Sequence, residues 1–185
     1  MVREEVKNGS LLIAEPFMLD PNFKRAAVLL CEHSAEGSIG FILNKPLGMR
    51  IDELIEDFPE FDSEVFFGGP VQTDTIHYIH SVGDLLEESV KLTDGVYWGG
   101  DFEKLKFLIS SQLILPQDIR FFLGYSGWSE GQLADEIVYG SWVLAEMYAN
   151  YVFKSRPDQL WQQAMFNKGN AYTVIARMPE NYSAN

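Results

Sequence analysis

The sequence predicts a single α+β domain of mixed, largely antiparallel, coiled or branching β-sheets flanked by several short helices. Three observations predict it. The first third is dominated by apolar runs of strand length; helical and strand patterns are interspersed without the βαβα rhythm of a doubly wound sheet; and 185 residues, 46% apolar and 14% aromatic, suffice for one sizeable core. No repeat, low-complexity tract or linker divides the chain. The domain is therefore expected to span residues 1–185, frayed at 1–8 and 180–185.

In order, SLLIA (10–14), AAVLLCE (26–32) and SIGFILN (38–44) read as strands, and their near-continuous hydrophobicity implies that both faces are covered. The connecting EPFMLDPNFKR and HSAEG carry turn residues. Ile51, Leu54, Ile55 and Phe58 recur at helical spacing, which predicts one short amphipathic helix ending before Pro59. EVFFGG (64–69) and TIHYIHSV (75–82) read as strands, and Asp94-Gly95 between β-prone runs signals a hairpin. Phe102, Leu105, Leu108 and Ile109 predict a helix with Asp101 as its N-cap. DIRFFLGY returns to strand, followed by a short helix from about Glu130, a strand in SWVLAEM, and a last helix whose stripe is Leu160, Trp161, Ala164 and Met165. Pro157 lies near the start of that helix and Gly169 just past its end.

Fourteen Lys and Arg against 27 Asp and Glu leave a net charge of −13, which repels phosphate backbones and anionic membranes. The clearest basic groupings, Lys24-Arg25 and Lys104 with Lys106, are too short for a nucleic-acid footprint. The amino-terminal apolar run, residues 11–14, is too short for a signal-peptide core, and no run approaches a membrane span. With Cys31 as the lone cysteine, the expectation is a cytoplasmic protein without membrane association or direct nucleic-acid binding.

FFLGYSGWSEGQLADEI (121–137) places Ser126 between Gly124 and Gly127 at the expected exit of a strand and entrance of a helix. The hydrolase elbow G-x-S-x-G fails at Trp128, which stands at the last Gly position, and His33, His77 and His80 all precede Ser126. The letters fit better as a capping box, Ser129 with Gln132, stapled by Trp128 and Leu133. On that reading Gly124 and Gly127 permit a sharp turn, Ser126→Ala leaves folding almost unchanged, and Ser129→Ala costs about 1 kcal/mol. A glycine-rich helix entrance can also offer backbone N–H groups to an anion, although the cap competes for them. No Walker or dinucleotide fingerprint is present, and no cofactor is expected.

Cys31 and His33 share a strand face and could bind a metal with His77 or His80 if the two strands are neighbours. His77 and His80, three apart, face opposite sides of a regular strand, so no metal is expected. The acids of 52–64 lack a calcium-loop pattern and read as a solvated face.

Taken in order, GSLLIAEPFMLDPNFKRAAVLLCEH, GSIGFILNKPLG, VFFGGPV and FFLGYSGWSEGQLADEI resemble the AlgH/YqgE family of bacterial proteins, from Gly9 to about Gly169. The resemblance implies a single α+β domain of coiled, branching sheets, and no catalytic residue or cofactor to carry over. Members are often labelled transcriptional regulators through a genetic link to alginate production. The chain departs from the family pattern in SWVLAEMYANYVF, which lacks the expected Pro-Asp break.

The family-specific letters fall on three expected turns: Asn44-Lys45-Pro46, Gly68-Gly69-Pro70 and residues 124–128. Loops are where scaffolds display function. The expectation is one shallow ligand pocket built from Asn44, Lys45, Gly69, Pro70, Gly124, Ser126, Trp128 and Gln132. The leading functional reading is a non-enzymatic regulatory or interaction protein acting through a protein partner or small ligand. The alternative is a hydrolase or small-molecule enzyme using the same turns.

Overall fold

In the computed structural model, which describes residues 4–179, ten strands and six helices form one α+β domain. The strands are β1 (Leu11–Ala14), β2 (Ala27–Ser34), β3 (Gly37–Ile42), β4 (Pro46–Arg50), β5 (Glu64–Phe67), β6 (Val71–His80), β7 (Val90–Thr93), β8 (Val96–Trp98), β9 (Ile119–Ser129) and β10 (Trp142–Ala145). The helices are α1 (Ile51–Leu54), α2 (Phe102–Ser110), α3 (Gln132–Tyr139), α4 (Ala149–Phe153), α5 (Pro157–Lys168) and α6 (Asn170–Ala176). The main path runs β10-β1-β2-β3-β9-β6-β8-β7, with β5 joining β9 in parallel and β4 pairing with β5. Every other ladder is antiparallel.

The continuous hydrophobicity of β1 and β2 has the predicted cause. Alternate side chains enter different cores: Leu11, Ile13 and Leu29 pack with Trp161 and Met165 of α5, whereas Leu12, Ala14, Val28 and Leu30 pack with Trp128, Leu133 and Trp142. A third cluster lies under α2, where Leu105, Leu108 and Ile109 meet Val65, Tyr78 and Phe121. Asp101 caps α2, its carboxylate accepting from the Lys104 N–H at 2.9 Å. Pro157 occupies the first turn of α5, and Gly169 follows its end.

Four expectations change. The helix predicted up to Pro59 is the single turn α1, because Asp52 draws the chain back. Its carboxylate accepts from Arg50 Nε and Nη2 at 3.0 and 2.6 Å and from the Phe61 N–H at 2.9 Å. Phe58 and Phe61 reach the core from irregular backbone. Pro46, read as the end of a turn, opens a further strand, β4, over residues 46–50. The strand expected in SWVLAEM forms as β10, but α4 follows it within the segment where the family's Pro-Asp break is missing, and a further helix, α6, follows α5, which was expected to be the last. Residues 124–128 form no turn at all: β9 runs unbroken through them to Ser129.

Of the termini expected to fray, residues 1–3 and 180–185 lie outside the described residues. Residues 4–8 make specific contacts, with Asn8 Oδ1 accepting from the His33 N–H at 2.7 Å and Val6 packing beside Leu12 and its neighbours. Among the described residues no helix is long and apolar enough to cross a membrane.

Candidate functional site

β9 is the seam of the fold. Its first half, Phe121 to Leu123 in register, pairs with β5 on one side, while β6 follows it on the other. Its second half pairs with β3, Gly40 opposite Ser126 and Ser38 opposite Trp128. The change of partner falls at Gly124, whose φ is +71°.

At this point the Gly68-Gly69 backbone crosses β9 at van der Waals contact. A Cβ at Gly69 would overlap the Tyr125 carbonyl and the Ser126 nitrogen, and one at Gly124 would overlap the Gly69 oxygen. The Gly68 N–H donates to Leu123 O at 2.8 Å, and Gly68 O accepts from the Ile42 N–H at 2.9 Å. Ser126 Oγ donates to the same Gly68 oxygen at 3.1 Å, with the serine 0% exposed. The serine that resembled a nucleophile is thus a cross-link inside the branch of the sheet. Gly68 and Gly69 are buried with it, and Pro70 alone of that turn reaches solvent.

Asn44 and Lys45 lie on the other side of β5, tied to it by the Phe67 N–H donating to Lys45 O at 2.7 Å. The Asn44 amide straddles the start of β2: Nδ2 donates to Arg25 O at 2.9 Å and Oδ1 accepts from the Ala27 N–H at 3.0 Å. Lys45 Nζ donates to Pro21 O and Asn22 O at 2.8 and 2.6 Å. Burial lowers the Lys45 pKa below its ordinary value, partly offset by Asp20. Both residues open onto a cleft of about 310 Å³ shared with Lys24, Arg25 and the first turns of α5.

Trp128 borders a different cleft, of about 370 Å³, with Tyr125, Ile39, Glu32 and Glu36. Its indole N–H donates to Glu136 Oε2 at 2.8 Å, and the Trp142 indole donates to the same oxygen at 2.9 Å. Gln132 holds the other carboxylate oxygen through its Nε2 at 3.1 Å. Only half of the predicted capping box forms. Gln132 Oε1 accepts from the Ser129 N–H at 3.0 Å, but Ser129 Oγ turns to that same oxygen, and the residue preceding α3 is Gly131, with φ +74° and no side-chain cap. Ser129 still belongs to β9, two residues short of the cap position. The staple survives as packing of Trp128 and Leu133 in one cluster.

The eight expected ligand residues therefore separate. Asn44 and Lys45 share one cleft, Trp128 lines another, Gln132 is exposed on α3, Pro70 is exposed beside the seam, and Gly69, Gly124 and Ser126 are packed in it. Lys24, Arg25, Trp161 and Gln162 join Asn44 and Lys45. The Lys24-Arg25 dipeptide was the sequence signal for them, but nothing in it says that a turn 20 residues on folds alongside.

Among the described residues no three His, Cys, Asp or Glu side chains come together as a metal site. Cys31 is buried at a register shift of β2, its thiol pKa raised by desolvation. His33 Nδ1 lies 2.6 Å from Ser38 Oγ. His80 is enclosed, with Nε2 2.8 Å from Gly99 O, and burial depresses its pKa, partly offset by that carbonyl. His77 packs on Phe41, its pKa likewise lowered by burial. The acids of 52–64 are partly structural: besides Asp52, Glu64 accepts from the Gly48 N–H at 3.0 Å and Glu53 from the Arg50 N–H at 3.1 Å.

Known proteins align with the whole of this framework. The AlgH-like family profile matches residues 11–173. A UPF0301 protein of Chlorobaculum parvum is 46% identical over 177 residues, covering 96% of this chain and 95% of the relative. One from Cytophaga hutchinsonii is 40% identical over 172 residues, covering 92% and 94%. The solution structure of the AlgH protein from Pseudomonas aeruginosa superposes with a TM-score of 0.74 at 25% identity, covering 96% of this chain and 98% of that one. A crystal structure of a Corynebacterium diphtheriae protein reaches 0.80 at 21% identity, covering 96% and 95%, a likeness of fold alone.

Proposed function

The chain belongs to the AlgH-like family, and we propose that it is a non-enzymatic cytoplasmic interaction protein that acts through a protein partner or a small ligand. The observation that carries this reading is the burial of Ser126. A nucleophile must reach its substrate, and this hydroxyl is 0% exposed and committed to Gly68 O beneath a backbone crossing. An architectural role for Ser126 leaves the G-x-S letters of this chain without need of a catalytic one.

Any regulatory role would run through another protein or a ligand, because a net charge of −13 opposes direct contact with DNA. Of the expected site residues, we take Asn44 and Lys45 as ligand-facing. Gly69, Gly124 and Ser126 serve the seam, and Trp128 and Gln132 serve the attachment of α3.

The test is turnover of generic p-nitrophenyl acyl and phosphate esters by the purified chain. The expected result is no rate above buffer. Turnover that Ser126→Ala abolishes while the variant stays folded at the assay temperature would overturn the reading and favour the hydrolase alternative.

A further inference from the structure

The cleft beside Asn44 and Lys45 carries a charge pattern at odds with the rest of the molecule. Lys24, Arg25 and Lys45 converge on a volume of about 310 Å³ in a chain with 27 acidic residues and a net charge of −13. None of the three makes an ion pair among the described residues. On such an acidic chain, three neighbouring cations without an ion-pair contact are a concentrated positive site, although Asp20 still attracts Lys45 through space.

The backbone is arranged to present them. Arg25 has φ +52°, a left-handed conformation uncommon for a residue with a side chain, and the Asn44 amide clamps it by bonding the chain on both sides. In this conformation the guanidinium stacks over Trp161, 4.3 Å from the ring centroid, and Nη2 donates to Met178 O at 2.7 Å. Arg25 Nε is buried and has no hydrogen-bond partner, the one such side-chain atom among the described residues. A buried charged donor without an acceptor is costly, so the guanidinium gains if its side chain turns toward an acceptor held in the cleft. Lys45 spends two of its three N–H donors on Pro21 O and Asn22 O, leaving one.

The far wall is the amino terminus of α5, a 12-residue helix with no side-chain cap, whose dipole adds positive potential. The one acid in the lining, Asp158, is paired with Arg156 at 2.9 Å. Cationic donors thus outnumber the acceptors. A carboxylate monoanion would leave two of the three charges unmatched, whereas a phosphoryl dianion balances more of them and offers three acceptor oxygens to diverging donors.

We propose that the cleft formed by Lys24, Arg25, Asn44, Lys45 and the start of α5 binds the phosphoryl group of a small molecule. The volume is at the lower end for small-molecule sites and suits the phosphoryl group and its immediate attachment. The proposal rests on the reading of Asn44 and Lys45 as ligand-facing, and it makes the small ligand of that reading a phosphorylated one.

Isothermal titration of the full chain with inorganic phosphate, in low-salt buffer free of other oxyanions, tests it, with acetate as the carboxylate comparison. The expected result is saturable one-to-one binding of phosphate, with acetate about tenfold weaker. Arg25→Gln should weaken phosphate binding about tenfold. Lys24→Gln, at an exposed position, should weaken it several-fold without moving the melting temperature, and Asp158→Asn should tighten it. No saturable heat up to about 10 mM phosphate, acetate binding as tightly, or phosphate binding indifferent to Lys24→Gln would overturn the proposal. None of those outcomes bears on ester turnover, so the non-enzymatic reading stands or falls separately.

Discussion

Ser126 and Ser129 exchange the roles that their letters suggest. Ser129 has the spacing of an N-cap, yet its hydroxyl caps no helix N–H and lies exposed at the end of β9. Ser126 has the spacing of a nucleophile, yet it is a buried donor joining two arms of the sheet. Ser126→Ala should therefore lose a net hydrogen bond and cost about 1 kcal/mol, since Gly68 O keeps its bond from Ile42. Ser129→Ala should stay within about 0.5 kcal/mol of the parent. Urea denaturation of the two variants checks the order, and a Ser129→Ala penalty exceeding that of Ser126→Ala would restore the capping-box account. The sequence made the small size of residues 124, 126 and 127 visible but not its reason. Glycines beside a serine fit a tight turn and a tight crossing equally, and only the path of Gly68-Gly69, more than 50 residues earlier, separates the two.

Among the elements, α3 shows how one carboxylate can fasten a helix to a sheet. Glu136 Oε2 accepts from the indoles of Trp128 on β9 and Trp142 on β10, and both rings are buried. Glu136→Ala leaves two indole donors unsatisfied and should cost about 2–3 kcal/mol, whereas Glu136→Gln, which keeps one carbonyl acceptor, should cost about half as much. Thermal or denaturant unfolding measures both, and an alanine variant as stable as the parent would show that the clamp contributes nothing. The helix itself was readable from the letters at its entrance, as were α2 and α5 from their apolar spacing with Asp101 and Pro157 at their starts, and the hairpin from Asp94-Gly95. In each case the signal lies within a few residues of the element. α1 was overextended because Asp52 bonds to Arg50 and to the distant Phe61 N–H, a competition invisible in the spacing of Ile51, Leu54, Ile55 and Phe58. β4 was missed because Pro46 reads as a turn residue and Gly48 is a poor strand former, although an edge strand tolerates both.

For the whole molecule, the strand-rich α+β architecture followed from hydrophobic runs covered on both faces, and the branch followed from the family resemblance. The site did not follow as fully. Three turns sharing family letters were expected to form one pocket. Two of them instead pack into each other, while Asn44-Lys45 meets Lys24-Arg25 at the shared end of β2 and β3, beside α5. Long-range meeting of short motifs is what a single sequence conceals, because each fragment alone is an ordinary turn or a short basic pair.

The claim on which the functional reading turns is that position 126 is sealed inside the fold. It can be measured by thiol labelling of Ser126→Cys, because Cys31, the only cysteine of the chain, is itself buried. The expected result is that neither thiol reacts with a disulfide reagent in native buffer except at the rate of global unfolding, and that both react at once in denaturant. Rapid labelling of one thiol per native chain, with the melting temperature preserved, would contradict the account and return residue 126 to the surface.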